Sequence, residues 1–284
     1  MTLKLVLLGR PQVVVNGQDY TAHIGDKPLA VLAYLALETP PPLAREKLAG
    51  IFWPDKTDEA ARYRLRNTLW NLRRDLGPTH ILADDDHCWL DPATVQIDVG
   101  AFQTDVKALR DPQDLLALAA LYRGEFLENI LVRDAPAFEE WLLVERERLQ
   151  LRYQDVLWRA AQAQQATGNS GDAVPTLTRL IQVDPLRERN YRALMKAHAG
   201  AGDRATALRI FDQCVRTLAA ELAVAPAAET QHLRDQIAQN TTESWSAELE
   251  HRLVQAELAL AAGRSDQART LIQSARQAIQ NLFN

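Results

Sequence analysis

The sequence predicts an α+β domain followed by an all-α domain, and three observations predict it. Short β-rich runs open the chain and return near residue 81, and two helical stretches joined by a loop lie between them. Past about Gln103 the strand signals give way to consecutive helical patterns in which small residues recur at a 34-residue interval, Gly168 to Gly202 and Ala173 to Ala207. Strands, helix, loop, helix and a second strand pair, in that order, are the layout of a winged helix-turn-helix. The interval is the period of tetratricopeptide repeats. The domains expected are 1–100, 101–240 and a helical hairpin over 241–284.

A chain of 284 residues fits two domains, and 47% apolar with 24% charged residues supports a sizeable buried core. The net charge of −5 excludes a surface coated with nucleic acid. The first hundred residues hold 11 Lys and Arg against 13 Asp and Glu, so a DNA-binding face there must come from placement.

The first strands fall at residues 3–8 and Gln12–Val15, split by Gly9-Arg10-Pro11, and Asn16-Gly17 is a strong hairpin signal. Residues 27–37 put Leu29, Leu32, Ala33, Ala36 and Leu37 on one helical face before Pro40-Pro41-Pro42. A short helix is expected over 44–52, a loop at Trp53-Pro54-Asp55-Lys56-Thr57, and an N-cap at Asp58. From Asp58 to Leu76 a single apolar stripe runs through Ala61, Leu65, Leu69, Leu72 and Leu76, and Gly77-Pro78 stops it.

On that helix Tyr63, Asn67, Trp70, Asn71 and Arg74 fall opposite the stripe, with Arg64 and Arg66 flanking and Arg62 and Arg73 nearer to it. Arginine matches phosphate and guanine bidentately, asparagine matches adenine, and an exposed aromatic suits a thymine methyl or a sugar. A solvated helix would pair its arginines with acids at i+4, yet none lies between Ala60 and Arg74. The stretch therefore reads as a recognition helix. Asn67, Asn71 and Arg74 are assigned to base edges, Trp70 to an apolar or backbone contact, and Arg62, Arg64, Arg66 and Arg73 to phosphates.

Ile81-Leu82 and Trp89-Leu90 flank a turn where a winged helix carries its wing. Its tip, Asp84-Asp85-Asp86, would be repelled by phosphates, so this wing either stands off the duplex or does another job. The stretch lacks the spacing of a calcium loop, and Cys88 and Cys214 have no metal-ligand pattern, so neither metal nor cofactor is expected. No phosphate-binding G-x-x-x-x-G-K-[ST] loop and no hydrolase or redox motif occurs, which argues against an enzyme. The amino-terminal apolar run is too short for a signal peptide or a membrane span and predicts a cytoplasmic protein.

Leu7-Leu8-Gly9, Leu32-Ala33-Tyr34-Leu35-Ala36-Leu37, Phe52-Trp53-Pro54-Asp55 and Leu72-Arg73-Arg74-Asp75-Leu76-Gly77 form a recognisable series. Tyr122-Arg123-Gly124-Glu125-Phe126-Leu127 and Leu194-Met195 continue it. Over residues 3–237 the chain resembles the SARP family, the Streptomyces antibiotic regulatory proteins, which join an OmpR/PhoB-type winged helix to a bacterial transcriptional activation domain. The resemblance implies sequence-specific binding to direct repeats at promoters, often by two protomers, and recruitment of RNA polymerase. It assigns a polymerase contact to the loop of Trp53, Asp55, Lys56 and Thr57.

Beyond the strands, helices are expected near 149–167, 172–183, 187–199 and 203–221, the second closed by Asp184-Pro185. Two more are expected within 241–284, broken at Ala262-Gly263-Arg264-Ser265. Trp141, Tyr153, Trp158 and Tyr191 read as core aromatics rather than a groove. The helical part would serve a homodimer, a protein partner, or a peptide or small-molecule effector. The rival reading is a tetratricopeptide-like adaptor whose winged helix does not read DNA.

Overall fold

The computed structural model describes residues 2–38, 41–106, 108–167, 170–261, 264–265, 267 and 269–274. Two compact units divide it, Met1–Ala163 and Gln164–Asn284.

The first unit opens with β1 (Leu3–Val6), β2 (Gln12–Val15) and β3 (Gln18–Asp19). β1 runs antiparallel to β2 with Leu3 opposite Val15, and β2 turns into β3 at Asn16-Gly17. Both turn residues have positive φ, 51° and 88°, the pair of values that a two-residue hairpin with the right strand twist requires. β7 (Val95–Ile97) then joins the other side of β1 in parallel, giving the order β3-β2-β1-β7. The run Val95-Gln96-Ile97 alternates as a strand does but is only three residues long, and its partner β1 is about ninety residues away.

Three helices come after the first sheet strands: α1 (Asp26–Leu37), α2 (Arg45–Phe52) and α3 (Asp58–Leu76). α1 buries every residue from Leu29 to Leu35, more than one face. Ala44, expected to begin α2, is instead extended and belongs to β4 (Leu43–Ala44). That strand pairs with β6 (His87–Leu90), which also pairs with β5 (Ile81–Ala83), so the wing is a three-stranded sheet.

The N-cap of α3 is Thr57 rather than Asp58. The Thr57 hydroxyl accepts from the Ala60 N–H at 3.4 Å, while Asp58 and Glu59 occupy the first turn, where carboxylates favour the positive end of the helix. The stripe Ala61, Leu65, Leu69, Leu72 and Leu76 is buried as expected. Gly77, at φ 109°, ends the helix in a conformation that other residues resist.

Beyond the sheet come α4 (Asp98–Phe102), α5 (Pro112–Ala119) and α6 (Pro136–Ala166). The helix expected near 149–167 is the later part of α6, which begins at Pro136. Proline suits a first helical position, where its missing N–H would have no partner anyway. The early turns of α6 extend the winged-helix core: the Phe138 ring lies 5.1 Å from Phe52 and the Trp141 ring 4.7 Å from Tyr34. Tyr153 is buried and stacks on Tyr122 at 4.4 Å. Of the aromatics expected in the core, Tyr153 is buried, while Trp141 and Trp158 are half-buried.

Extended pairing does not end at Gln103. Leu8 bridges Phe126, Gly9 N–H donates to Glu125 at 3.1 Å, and Leu127 N–H donates to Leu7 at 3.0 Å. Two of the family segments, Leu-Leu-Gly and Tyr-Arg-Gly-Glu-Phe-Leu, are thus the two halves of one clasp. A Cβ on Gly9 would stand 3.2 Å from the Gly124 nitrogen, which is why glycines meet there. The buried Asp98 carboxylate closes the clasp, accepting from Leu7 and Leu8 N–H at 2.9 to 3.0 Å and from Arg123 at 2.9 Å.

In the second unit α7 (Val174–Val183), α8 (Glu188–Gly200) and α9 (Arg204–Leu222) pack in sequence. Ala173 and Ala207, 34 positions apart, are both fully buried, as close helix approach requires. Gly202, at φ 86°, turns α8 into α9, whose N-cap Asp203 accepts from Thr206 N–H at 3.0 Å. The next helix, α10 (Ala228–Ala261), runs straight through residue 241, where the sequence pattern suggests the start of a hairpin. Glu188 holds the beginning of α10, accepting from Ala227 N–H at 3.0 Å and from the Thr230 hydroxyl at 2.5 Å. Tyr191 is buried within this unit. Gly168, Ala262, Gly263 and Ala268 lie outside the described residues.

Candidate nucleic-acid interface

Opposite the buried stripe of α3, the residues Tyr63, Asn67, Trp70 and Arg74 make one continuous exposed row. At a rise of about 1.5 Å per residue the row is roughly 16 Å long. Tyr63 is 55% and Trp70 61% exposed. Two large aromatics left in water on one face of a well-packed helix are costly unless a partner covers them. Asn71, Arg62, Arg64 and Arg66 are also exposed, and Arg73 is half-buried.

The arginines are organised by their neighbours. The Arg66 guanidinium lies 5.5 Å from the Tyr63 ring centre and the Arg74 guanidinium 4.9 Å from that of Trp70. Arg74 also donates to Asp75, through Nε at 2.8 Å and Nη2 at 3.2 Å. Arg62 pairs with Glu46 of α2 at 3.0 Å. Counting acids along the helix could not find Glu46, which comes from another element. Among the described residues no acid lies within 4 Å of Arg64, Arg66 or Arg73. Three of the five arginines on the helix are thus free of ion pairs among the described residues.

The loop before α3 divides into an anchor and an exposed edge. Trp53 is buried, with the Lys27 ammonium 5.5 Å from its ring and donating to the Phe52 carbonyl at 2.8 Å. Burial lowers the Lys27 pKa. Pro54, Asp55, Lys56 and Thr57 are exposed, and Asp55 pairs with Lys56 at 2.6 Å. Of the loop residues singled out in the sequence, Trp53 holds the loop in place and the other three form its surface.

The wing tip is built by one of its three aspartates. Asp84 accepts from the N–H groups of Asp86 and His87 at 2.9 and 2.6 Å, and these bonds lower its pKa. Arg45 fastens the tip from outside, its N–H donating to the Asp86 carbonyl at 2.8 Å and its guanidinium to that of Asp84 at 2.9 Å. Asp85 and Asp86 remain exposed and line an open groove of about 1080 Å³ shared with Arg62 and Arg66 of α3. The role of Arg45 has no sequence signature, since the groups it binds are some forty residues away.

Both cysteines are buried, and burial pushes each thiol up to about 11, so neither is a reactive thiolate at neutral pH. Among the described residues no cluster of His, Cys, Asp or Glu could hold a metal ion, and no helix is long and apolar enough to cross a membrane.

Residues 100–238 match the family model described as bacterial transcriptional activator domain. Among solved structures the chain is similar to Mycobacterium tuberculosis EmbR in complex with a low-affinity phosphopeptide. The identity is 22%, the TM-score 0.63, and the match covers 88% of this chain and 71% of that one. No curated protein matches the chain. The winged helix packs through Asp98 and the Phe52 cluster onto the start of the residues that match the bacterial transcriptional activator domain, the arrangement that the resemblance to the SARP family implies.

Proposed function

We propose that this chain is a transcriptional activator that binds double-stranded promoter DNA through the outer face of α3 and recruits RNA polymerase through the exposed loop ahead of it. The observation that carries the reading is the row Tyr63, Asn67, Trp70 and Arg74, flanked by Arg64, Arg66 and Arg73, which make no ion pair within 4 Å among the described residues. Its width suits the major groove, which admits one helix, and its side chains are those that read base edges. In this reading Asn67, Asn71 and Arg74 face bases and Trp70 an apolar group, while Arg62, Arg64, Arg66 and Arg73 hold phosphates. Arg62 must first leave Glu46, an exchange that exposed side chains make at low cost. Asp55, Lys56 and Thr57 form the surface offered to polymerase.

Direct repeats would be read by two protomers, and the helical unit would serve the homodimer or an effector, peptide or small molecule. The phosphopeptide belongs to the similar structure. The match leaves part of that protein uncovered, so no phosphopeptide site is assigned to this chain. Work on promoters implies a cytoplasmic protein.

The deciding experiment is selection of bound genomic fragments by the purified chain at several salt concentrations, with an Arg66→Ala/Arg74→Ala variant in parallel. Enrichment of a direct-repeat sequence by the wild type alone supports the reading. If neither protein enriches any sequence, the face does not read DNA. The exposed Asp85 and Asp86 beside it then favour a protein-binding adaptor.

A further inference from the structure

Arg74 has five N–H donors, and the structure commits two of them. Nε donates to one Asp75 oxygen at 2.8 Å and Nη2 to the other at 3.2 Å, so the carboxylate occupies the side edge of the guanidinium. The Trp70 indole, with its ring centre 4.9 Å away, supports the guanidinium from a second direction. The edge left over is the end edge, which presents one Nη1 hydrogen and one Nη2 hydrogen in parallel. Two parallel donors on that edge match the N7 and O6 acceptors of a guanine in the major groove, a pattern that no other base presents. Arg74 lies on the outermost row of α3, and at 55% exposure its side chain is open to a partner.

We infer that Arg74 reads one guanine in each half-site, and that Asp75 is the residue that positions it. The inference rests on the proposed DNA reading and sharpens it by naming the base and the pair of residues. Holding a long side chain in one geometry before binding reduces the rotamer freedom lost on binding and aims the free edge in one direction. Asp75 is therefore a specificity residue that brings negative charge close to DNA, which a residue serving affinity alone would not do. Trp70, beside the fork, covers the neighbouring base pair.

The test is selection from random double-stranded DNA by the full chain and by Asp75→Asn and Arg74→Lys variants, each first shown by thermal melting to be folded. The expected wild-type motif contains a strongly preferred guanine. Arg74→Lys should reduce the preference at that one position by about tenfold and leave the others in place. Asp75→Asn should weaken the same position severalfold while affinity for unrelated DNA stays level or rises, because a negative charge has gone. If a motif is selected but Arg74→Lys weakens binding to all sequences equally, Arg74 is a phosphate contact. The inference then fails while the DNA reading stands. If Asp75→Asn leaves the guanine preference intact, the positioning role fails. If no protein selects a motif, the DNA reading falls and takes this inference with it.

Discussion

Arg123 donates to the Asp98 carboxylate at 2.9 Å, and the same carboxylate holds the N–H groups of Leu7 and Leu8. One buried acid therefore ties the first strand, the start of α4 and the loop after α5 together. Replacing Asp98 by Ala removes the acceptor that the Leu7 and Leu8 N–H groups share. The expected loss is about 2–4 kcal/mol, read as a lower midpoint in thermal or urea unfolding. Arg123→Ala should cost less, because its guanidinium is half exposed.

Gly9→Ala should destabilise the same clasp by a different route. The residue sits at φ 105°, and its new methyl would meet the backbone of Gly124 at 3.2 Å. Conformational strain and crowding together should cost about 1–3 kcal/mol. Gly17→Ala has positive φ but open space around it and should cost only the conformational part, so the difference between the two melting midpoints isolates the crowding.

His80, packed under the turn after α3, is fully buried and neither ring nitrogen has a hydrogen-bond partner. Burial lowers its pKa, so the folded protein resists protonating it. Below about pH 6.5 the unfolded chain takes up a proton that the folded chain does not, and stability falls as pH drops through that value. His80→Leu should melt at the same temperature or higher at neutral pH and should flatten the melting curve's pH dependence between about 5 and 7. A variant that keeps the wild-type slope would show that another group produces it.

Asp85 and Asp86 stand in the groove beside Arg62 and Arg66. If α3 binds DNA, an Asp85→Asn/Asp86→Asn variant should bind all sequences more tightly, by several-fold at low salt, with the selected motif unchanged. Titration on specific and unrelated duplexes at two salt concentrations reads both effects. Asp84→Asn is a poor substitute, because Asp84 builds the turn itself.

The range of each interaction decides how much of the fold and of the interface was legible in the sequence. The α3 stripe, the Asn16-Gly17 hairpin and the buried pair Ala173 and Ala207 depend on periodicity or on local φ, and each can be found by inspection. β7, β4 and the fastening of the wing by Arg45 depend on partners tens of residues away, and no local pattern encodes those pairings. The exposed row of α3 could be derived from the stripe. The pairing of Arg62 with Glu46 could not, because it required knowing that α2 lies alongside.

The cluster of Tyr34, Phe52, Phe138 and Trp141 crosses residue 100, where the similarity to the activator-domain family begins. Ancestry and cohesion therefore mark different joints in this chain. A gene rearrangement cutting at residue 100 would strand Tyr34 and Phe52 without the rings they pack against, and their faces would be left to water. A cut near residue 163, inside α6, would instead leave all four rings on the same side, within the compact unit Met1–Ala163.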